Sequence, residues 1–371
     1  MTESIKPPSY SRRQALKLGT GAAVSLPLFN INHAWSADVT YDGGTFDAGG
    51  ATLNVAEWGG FWQDLVRKLM LDDFEKQFNC KVAYDSAFPW FPKFVANPKD
   101  KPPFAVVNWN YPEMFKTAKA GDFFMPLDEV MANVPNSKNV WPFATANKVG
   151  ITWAYARYCY AYRTDMAAPP PTKFADFWDA RYAGKRGTYI TSNTLQMDFF
   201  LAACKVFGKD QYDLDAGYDA MKRASPLKIS DFTGNMQALL ERGEVAIAVQ
   251  DDGEAYLQAK KGIKVAALVW DEVKPILTQT MTVSRYTDPV QKKLSLAFLN
   301  RTLDAGFLNK FTEAFNYAPV TKDAVIPATL AEFGIKNTAD AVSGFTIPDW
   351  NSYLEHEDDI VETVNQIFGS H

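Results

Sequence analysis

"GITWAYARYCYAYRT", Gly150 to Thr164, is built from β-branched and aromatic residues with little helix signal, and reads as one long strand. Within it Tyr158, Tyr160 and Tyr162 fall on alternate positions and so share one face. The cluster Pro169-Pro170-Pro171 that follows reads as a loop. Upstream, "TLNVAEW" is a strand ending at Trp58, and Gly59-Gly60 allow a tight turn. From Trp62 the residues Leu65, Val66, Leu69, Met70, Phe74 and Phe78 fall at helical spacing. "CKVAYDSA" and "FAVVNWN" are two further strands, the second followed by a helix through Met114 and Ala118 that stops at Gly121. Downstream, "KFADFWDARYAGKRGTYIT" reads as short helix, glycine turn and strand. Leu195 to Phe207 is apolar helical sequence closed by Gly208. "TGNMQALLERGEVAIAVQDDGEAYLQAKKG" gives helix, turn, strand and helix, "KVAALVW" a further strand, and "ILTQTMTVSR" a strand returning the chain to its first half. Short apolar runs alternating with amphipathic helices predict an α/β fold.

The 371 residues suffice for about two domains, and at 47% hydrophobic and 22% charged the chain is of ordinary globular composition. The first 36 residues stand apart. Ser11-Arg12-Arg13-Gln14-Ala15-Leu16-Lys17, the apolar run Leu18 to Phe29, and "HAWSA" with small residues at Ala34 and Ser36 resemble a twin-arginine export signal cut near Ser36. The apolar run is too short for a spanning helix of about 20 residues. Removing that segment takes the formal charge from −5 to about −8. Nothing basic tracks a phosphate backbone, so nucleic acid is excluded as a partner. No cysteine follows the signal to carry a lipid, the first being Cys80, and a free periplasmic monomer is expected. Cys80, Cys159 and Cys204 read as small buried side chains, with a Cys159–Cys204 pair left open. With His33 in the signal and only His356 and His371 near the end, a histidine triad or multi-histidine metal site lacks its raw material.

In open parallel sheets the carboxyl ends of the strands form the ligand crevice. The residues predicted there are Trp58, Asp85, Trp109, Asn110, Tyr111, Trp153 and Tyr155, with Phe88-Pro89-Trp90 close by and Gln250 and Asp251 ending "EVAIAVQDD". Aromatic faces there would hold an amine at roughly 0.5–2 kcal/mol per contact, although core packing explains any one of them equally simply. Two roles are open for the aspartate pair: Asp252 or Asp251 caps the next helix, or Asp251 offers its charge to an ammonium group. Arg157 and Arg285 either bind a ligand carboxylate bidentately or form salt bridges.

Trp58-Gly59-Gly60, "FADFWDARYAGKRG", "MQALLERGEVAIAV", "TDPVQKKLSLAFLNRTLD" and "FNYAPV", in that order, resemble the periplasmic solute-binding proteins of ABC importers, and within them the spermidine/putrescine-binding branch. The resemblance covers nearly all of the mature chain. It implies a two-lobe type II periplasmic binding protein fold, each lobe a mostly parallel sheet flanked by helices, joined by hinge crossing strands. The implied organisation is lobe 1 over 37–155 and 280–322, lobe 2 over 156–279, and C-terminal helices over 323–371 packing across both. A small organic solute, a polyamine or other amino compound, would close the lobes and be delivered to a membrane permease, with no cofactor and no catalysis. The implied ligand contacts are Trp58, Gly59 and Gly60, then Ser192 and Asn193, Gln250 with Asp251, and Gln279 with Thr280. Two positions depart from the polyamine binders: Gln279, and Ser192-Asn193, stand where the branch carries acidic residues. Two other classes stay open. Tyr158, Tyr160 and Tyr162 would suit a ferric-ion receptor, and Asp251, Asp252 and Glu254 a carboxylate-dependent hydrolase, although adjacent strand residues point to opposite faces and form no simple dyad.

Overall fold

The apolar runs become ten strands in a computed structural model that describes residues 39–370; the stretch 1–36, expected from the sequence to be an export signal, lies outside the described residues. The strands are β1 (Thr52–Ala56), β2 (Lys81–Asp85), β3 (Val106–Trp109), β4 (Ile151–Arg163), β5 (Arg186–Tyr189), β6 (Leu227–Ser230), β7 (Ile247–Asp251), β8 (Val265–Val269), β9 (Ile276–Val283) and β10 (Ala318–Pro319). Their order is β2-β1-β3-β9-β4-β7-β5-β6, with β8 and β10 also on β4.

Two parallel sets stand at the two ends of this order. β1 pairs in parallel with β2 and β3, and β5 pairs in parallel with β6 and β7. Between them β9 and β4 run antiparallel, so the long aromatic strand belongs to both sets: Ile151 to Arg157 pair with β9, and Tyr158 to Arg163 pair with β7 and β8. This is the two-lobe α/β arrangement expected from the sequence.

Helices cover both sets because each parallel crossover needs one. The helical run after Trp58 comprises Phe61–Val66, a π-helical turn at Arg67–Leu71 and Asp72–Phe78. It buries Trp62, Leu65, Met70 and Phe74 against the first set. In the second set Tyr160 stacks on Phe177 at 4.9 Å, within a buried group that includes Phe174, Phe199 and Trp270. Such pairs contribute about 0.5–1.5 kcal/mol each beyond the area they bury. Helix Trp350–Glu355 packs on Tyr111–Ala120 in the first set, and Glu357–Gly369 packs on Leu214–Ala224 in the second. No described helix is long and apolar enough to cross a membrane.

Cys80, Cys159 and Cys204 are buried free thiols, and burial pushes the Cys204 thiol up to about 12. Helix Thr194–Phe207 and helix Leu214–Ala224 pack closely at Gly217, where an added Cβ would enter the van der Waals envelope of Cys204 Sγ and lie 2.8 Å from a Phe200 ring carbon. Gly217→Ala is therefore expected to destabilise the protein by about 1–3 kcal/mol in urea unfolding; an unchanged midpoint would show that the contact relaxes freely.

Candidate functional site

The strand registers place the crevice. Trp109, ending β3, pairs with Thr280 of β9, and Thr280 pairs with Thr152 of β4. Tyr158 of β4 pairs with Asp251, the carboxyl end of β7. The carboxyl ends of the two parallel sets thus point at one another, separated by the six residue steps of β4 from Thr152 to Tyr158, about 20 Å at the rise of a strand. Trp58, Asp85 and Asn110 follow strand ends on one side; Ile190, Ser192, Asn193, Asp231, Gln250 and Asp251 stand at strand ends on the other. The predicted residues are therefore distributed over the two rims and the crossings between them.

Trp58 is the best anchored of them. Its Nε1 donates to Gln279 Oε1 at 2.5 Å, and the Tyr84 hydroxyl donates to its carbonyl at 2.6 Å. Its ring lies 4.8 Å from Trp90 and 5.4 Å from Phe88. With the N–H engaged and the side chain half-buried, the indole offers a fixed ring face and no free donor. Gly60, at φ 63°, turns the chain from the strand into the next helix in a conformation that favours glycine, and a Cβ on Gly59 would press on Ser86.

Beneath Trp58 lies a connected polar layer. Asn108 Nδ2 donates to Glu57 Oε1 at 2.5 Å and to Gln279 Oε1 at 2.9 Å, while Asn108 Oδ1 accepts from Trp153 Nε1 at 3.1 Å. Gln279 orients Trp58 and Asn108. Glu57 is fully buried, and burial raises its carboxyl to about 8 against the smaller opposing effect of its hydrogen bonds to Asn108 and the Trp58 amide.

On the crossings, Thr280 and Thr152 share a 2.8 Å hydrogen bond, Tyr111 bonds Thr152 at 3.1 Å, and Asn110 Nδ2 donates to the Thr278 carbonyl at 2.8 Å. Trp109 is not on the rim: its Nε1 donates to Thr282 and its ring is buried among Trp90, Phe94 and Phe124. Trp153 is buried against Trp62, Phe307 and Phe311. Tyr155 packs between Phe143 and Phe345 and lines a small recess, with room for about a single water-sized group, together with Arg157, Asp252 and Lys336.

The second rim divides the aspartate pair into two roles. Asp251 caps helix Asp252–Lys260, its Oδ1 accepting from the Glu254 amide at 3.0 Å. Burial, and then the charge of Glu254, raise its carboxyl well above the ordinary range. Asp252 is held by Arg157, whose Nε and backbone N–H donate at 2.7 and 2.8 Å. Gln250 accepts from the Tyr189 hydroxyl at 3.1 Å. Asn193 caps helix Thr194–Phe207 through the Leu195 amide and donates to the Asp231 carbonyl, and Ser192 is exposed beside it.

Asp85 and Arg285 are each held in an ion pair. Asp85 accepts from Lys93 at 2.9 Å, and Arg285 is bound by both oxygens of Asp122. Tyr158 donates to the buried Asp198 at 2.6 Å, and Tyr160 is enclosed by Phe174, Phe177 and Trp270, so two of the three alternate tyrosines serve the core of their set. Sequence reading did not single out Phe61, Ile190 or Phe232, which are 57%, 40% and 64% exposed and follow the ends of β1, β5 and β6. Nor did it single out Glu57. Exposure of a large apolar residue at a strand end is the signal that identifies the first three, and it exists only once the strands are placed.

No family model and no curated protein matches the sequence. Solved structures do. The Atu4243 GABA receptor superposes with a TM-score of 0.71 at 19% identity, over 86% of this chain and 98% of that one. The spermidine/putrescine ABC-transporter substrate-binding protein PotD of Streptococcus pneumoniae gives 0.66 at 17% identity, over 86% and 100%. The apo ferric ion-binding protein A of Pasteurella haemolytica gives 0.69 at 12% identity, over 85% and 97%. The fold is thus that of the extracellular solute-binding proteins of ABC transporters.

Proposed function

We propose that this chain is an exported receptor that captures a small organic solute, a polyamine or other amino compound, between its lobes and delivers it to an ABC-transporter permease from the periplasm. The observation that carries the reading is the opposition of two sets of parallel-strand carboxyl ends across the antiparallel crossings β4 and β9. A guest touching both rims stabilises the closed form by its differential affinity for it. In this reading residues 37–155 and 280–322 form one lobe, 156–279 the other, and 323–371 brace both, as the contacts of the last two helices suggest. Tyr158 and Tyr160 are engaged within the second set, which favours an organic solute over a ferric ion.

A thermal-shift screen of the mature chain against polyamines, amino acids, betaines and Fe(III) tests it. A true ligand at 100 times its Kd is expected to add about 2.7 kcal/mol of stability. Trp58→Ala, which removes the fixed ring face, is expected to weaken the identified ligand about tenfold or more by calorimetry with the fold intact. Silence across the panel, together with scattering profiles indifferent to every solute, would remove the receptor reading. Stabilisation by Fe(III) alone would replace the organic solute with the metal.

A further inference from the structure

Resting on the receptor reading, we propose that the segment 327–347 is a strap across the hinge that holds the lobes open, with the stack of Phe333 on Tyr256 as its latch, so that it lowers the affinity for every solute by one common factor.

The strap sits where the central strand changes partners. Arg157 is the last residue of β4 to pair with β9, and Tyr158 is the first to pair with β7. Two short helices, Ala328–Ala331 and Ala339–Val342, flank a turn at Gly334, whose φ of 77° favours glycine. The carbonyls of Phe333 and Gly334 accept from the Arg157 guanidinium at 3.0 and 3.4 Å. The Phe333 ring lies flat on that of Tyr256, at 4.0 Å and 10°. Tyr256 belongs to helix Asp252–Lys260, which leads from β7 to β8 in the second set. One end of the strap is thus fixed to the step of β4 and to the second set.

Its other bonds reach the opposite side. Asn337 Oδ1 accepts from Trp141 Nε1 at 2.7 Å, and Asn337 Nδ2 donates to the carbonyls of Thr321 and Ala324, each at 2.8 Å. Phe345 packs on Phe143 at 5.4 Å and on Tyr155 at 5.2 Å. In the lobes proposed above, Trp141, Phe143 and Thr321 belong to one and Tyr256 to the other. All these contacts are made while Phe61, Phe88 and Phe232 stand in water at the strand ends, the open arrangement. Closure turns Tyr256 relative to Trp141, and a strap bonded to both cannot follow both. Contacts formed only in the open arrangement bias the equilibrium toward it, and a solute that closes the lobes works against them whatever its chemistry.

Spin labels on Ala83→Cys and Lys228→Cys, at exposed positions of the outermost strands β2 and β6, read the lobe separation of the solute-free mature chain by pulsed electron resonance. The described native thiols are buried, so the labels go to the introduced cysteines. Phe333→Ala, at a surface residue, is expected to raise the ratio of short to long separations about two- to tenfold, the effect of losing one aromatic pair from the open form. Asn337→Ala, which frees the other end, is expected to shift the ratio the same way, and it reads the equilibrium should Phe333→Ala fail to fold. Val325→Ser, exposed and outside the strap, is expected to leave the ratio unchanged. Separations in both strap variants that match the parent, or exceed it, overturn the latch. So does an equal shift in Val325→Ser. The measurement uses no solute, so these failures leave the receptor reading standing, and that reading falls only to the solute screen and scattering.

Discussion

Arg157→Leu is expected to lower the unfolding free energy by about 3–5 kcal/mol, the usual cost of removing one partner of a buried ion pair. The Asp252 side chain is 2% exposed and its Oδ2 receives the Arg157 Nε at 2.7 Å. The same guanidinium ties three segments together, donating to the Tyr256 hydroxyl at 3.1 Å and to the Phe333 carbonyl at 3.0 Å. Leucine would leave a carboxylate in the interior with only the backbone N–H of residue 157 as donor. Asp252→Asn, which keeps an acceptor for that N–H and removes the stranded charge, is expected to cost distinctly less than Arg157→Leu. Urea unfolding of both variants measures the difference. Equal and small losses would mean that the pair is a solvated surface contact.

Stability is expected to fall by several kcal/mol as pH rises from about 5 to about 8, since each tenfold gain in a group's proton affinity on folding is worth about 1.36 kcal/mol. Burial lifts Glu57 to about 8, and both Glu113 and Asp198 to about 7. Each folded pKa lies above the ordinary carboxyl value, so the folded chain retains protons that the unfolded chain releases. Their stabilising contribution is complete below the unfolded pKa near 4 and is lost as pH climbs through the folded values. Glu57→Gln keeps the acceptor for Asn108 while removing the titration. It is expected to flatten the profile and to exceed the parent in stability at about pH 8. Urea midpoints across that range check the sign, and stability that climbs from pH 5 to 8 would show that these carboxyls ionise freely in the fold.

Much of the architecture is a local property of the chain. β4 is visible in the sequence because thirteen residues of β-branched and aromatic character have no alternative periodicity, and the helix–turn–strand around Gln250 because glycine and the apolar run mark its joints. β6 is not visible there: Leu227–Ser230 is a four-residue edge strand with two of its residues exposed, too short to show a pattern. The π-helical turn at Arg67–Leu71 is equally hidden, since its residues keep ordinary helical spacing.

Composition and order of residues determined the fold class, the positions of the strand ends and the scarcity of metal ligands, because these depend on near neighbours and on counts. The roles within the site depend on partners far away in sequence. Gln279 meets Trp58 across 221 residues, and Arg157 meets Asp252 across 95. No local pattern distinguishes the capping aspartate from the paired one, or a rim phenylalanine from a core one. Only the tertiary packing, by deciding which polar atoms find partners and which apolar faces stay in water, separated Asp251 from Asp252 and brought Phe61, Phe88 and Phe232 to the crevice.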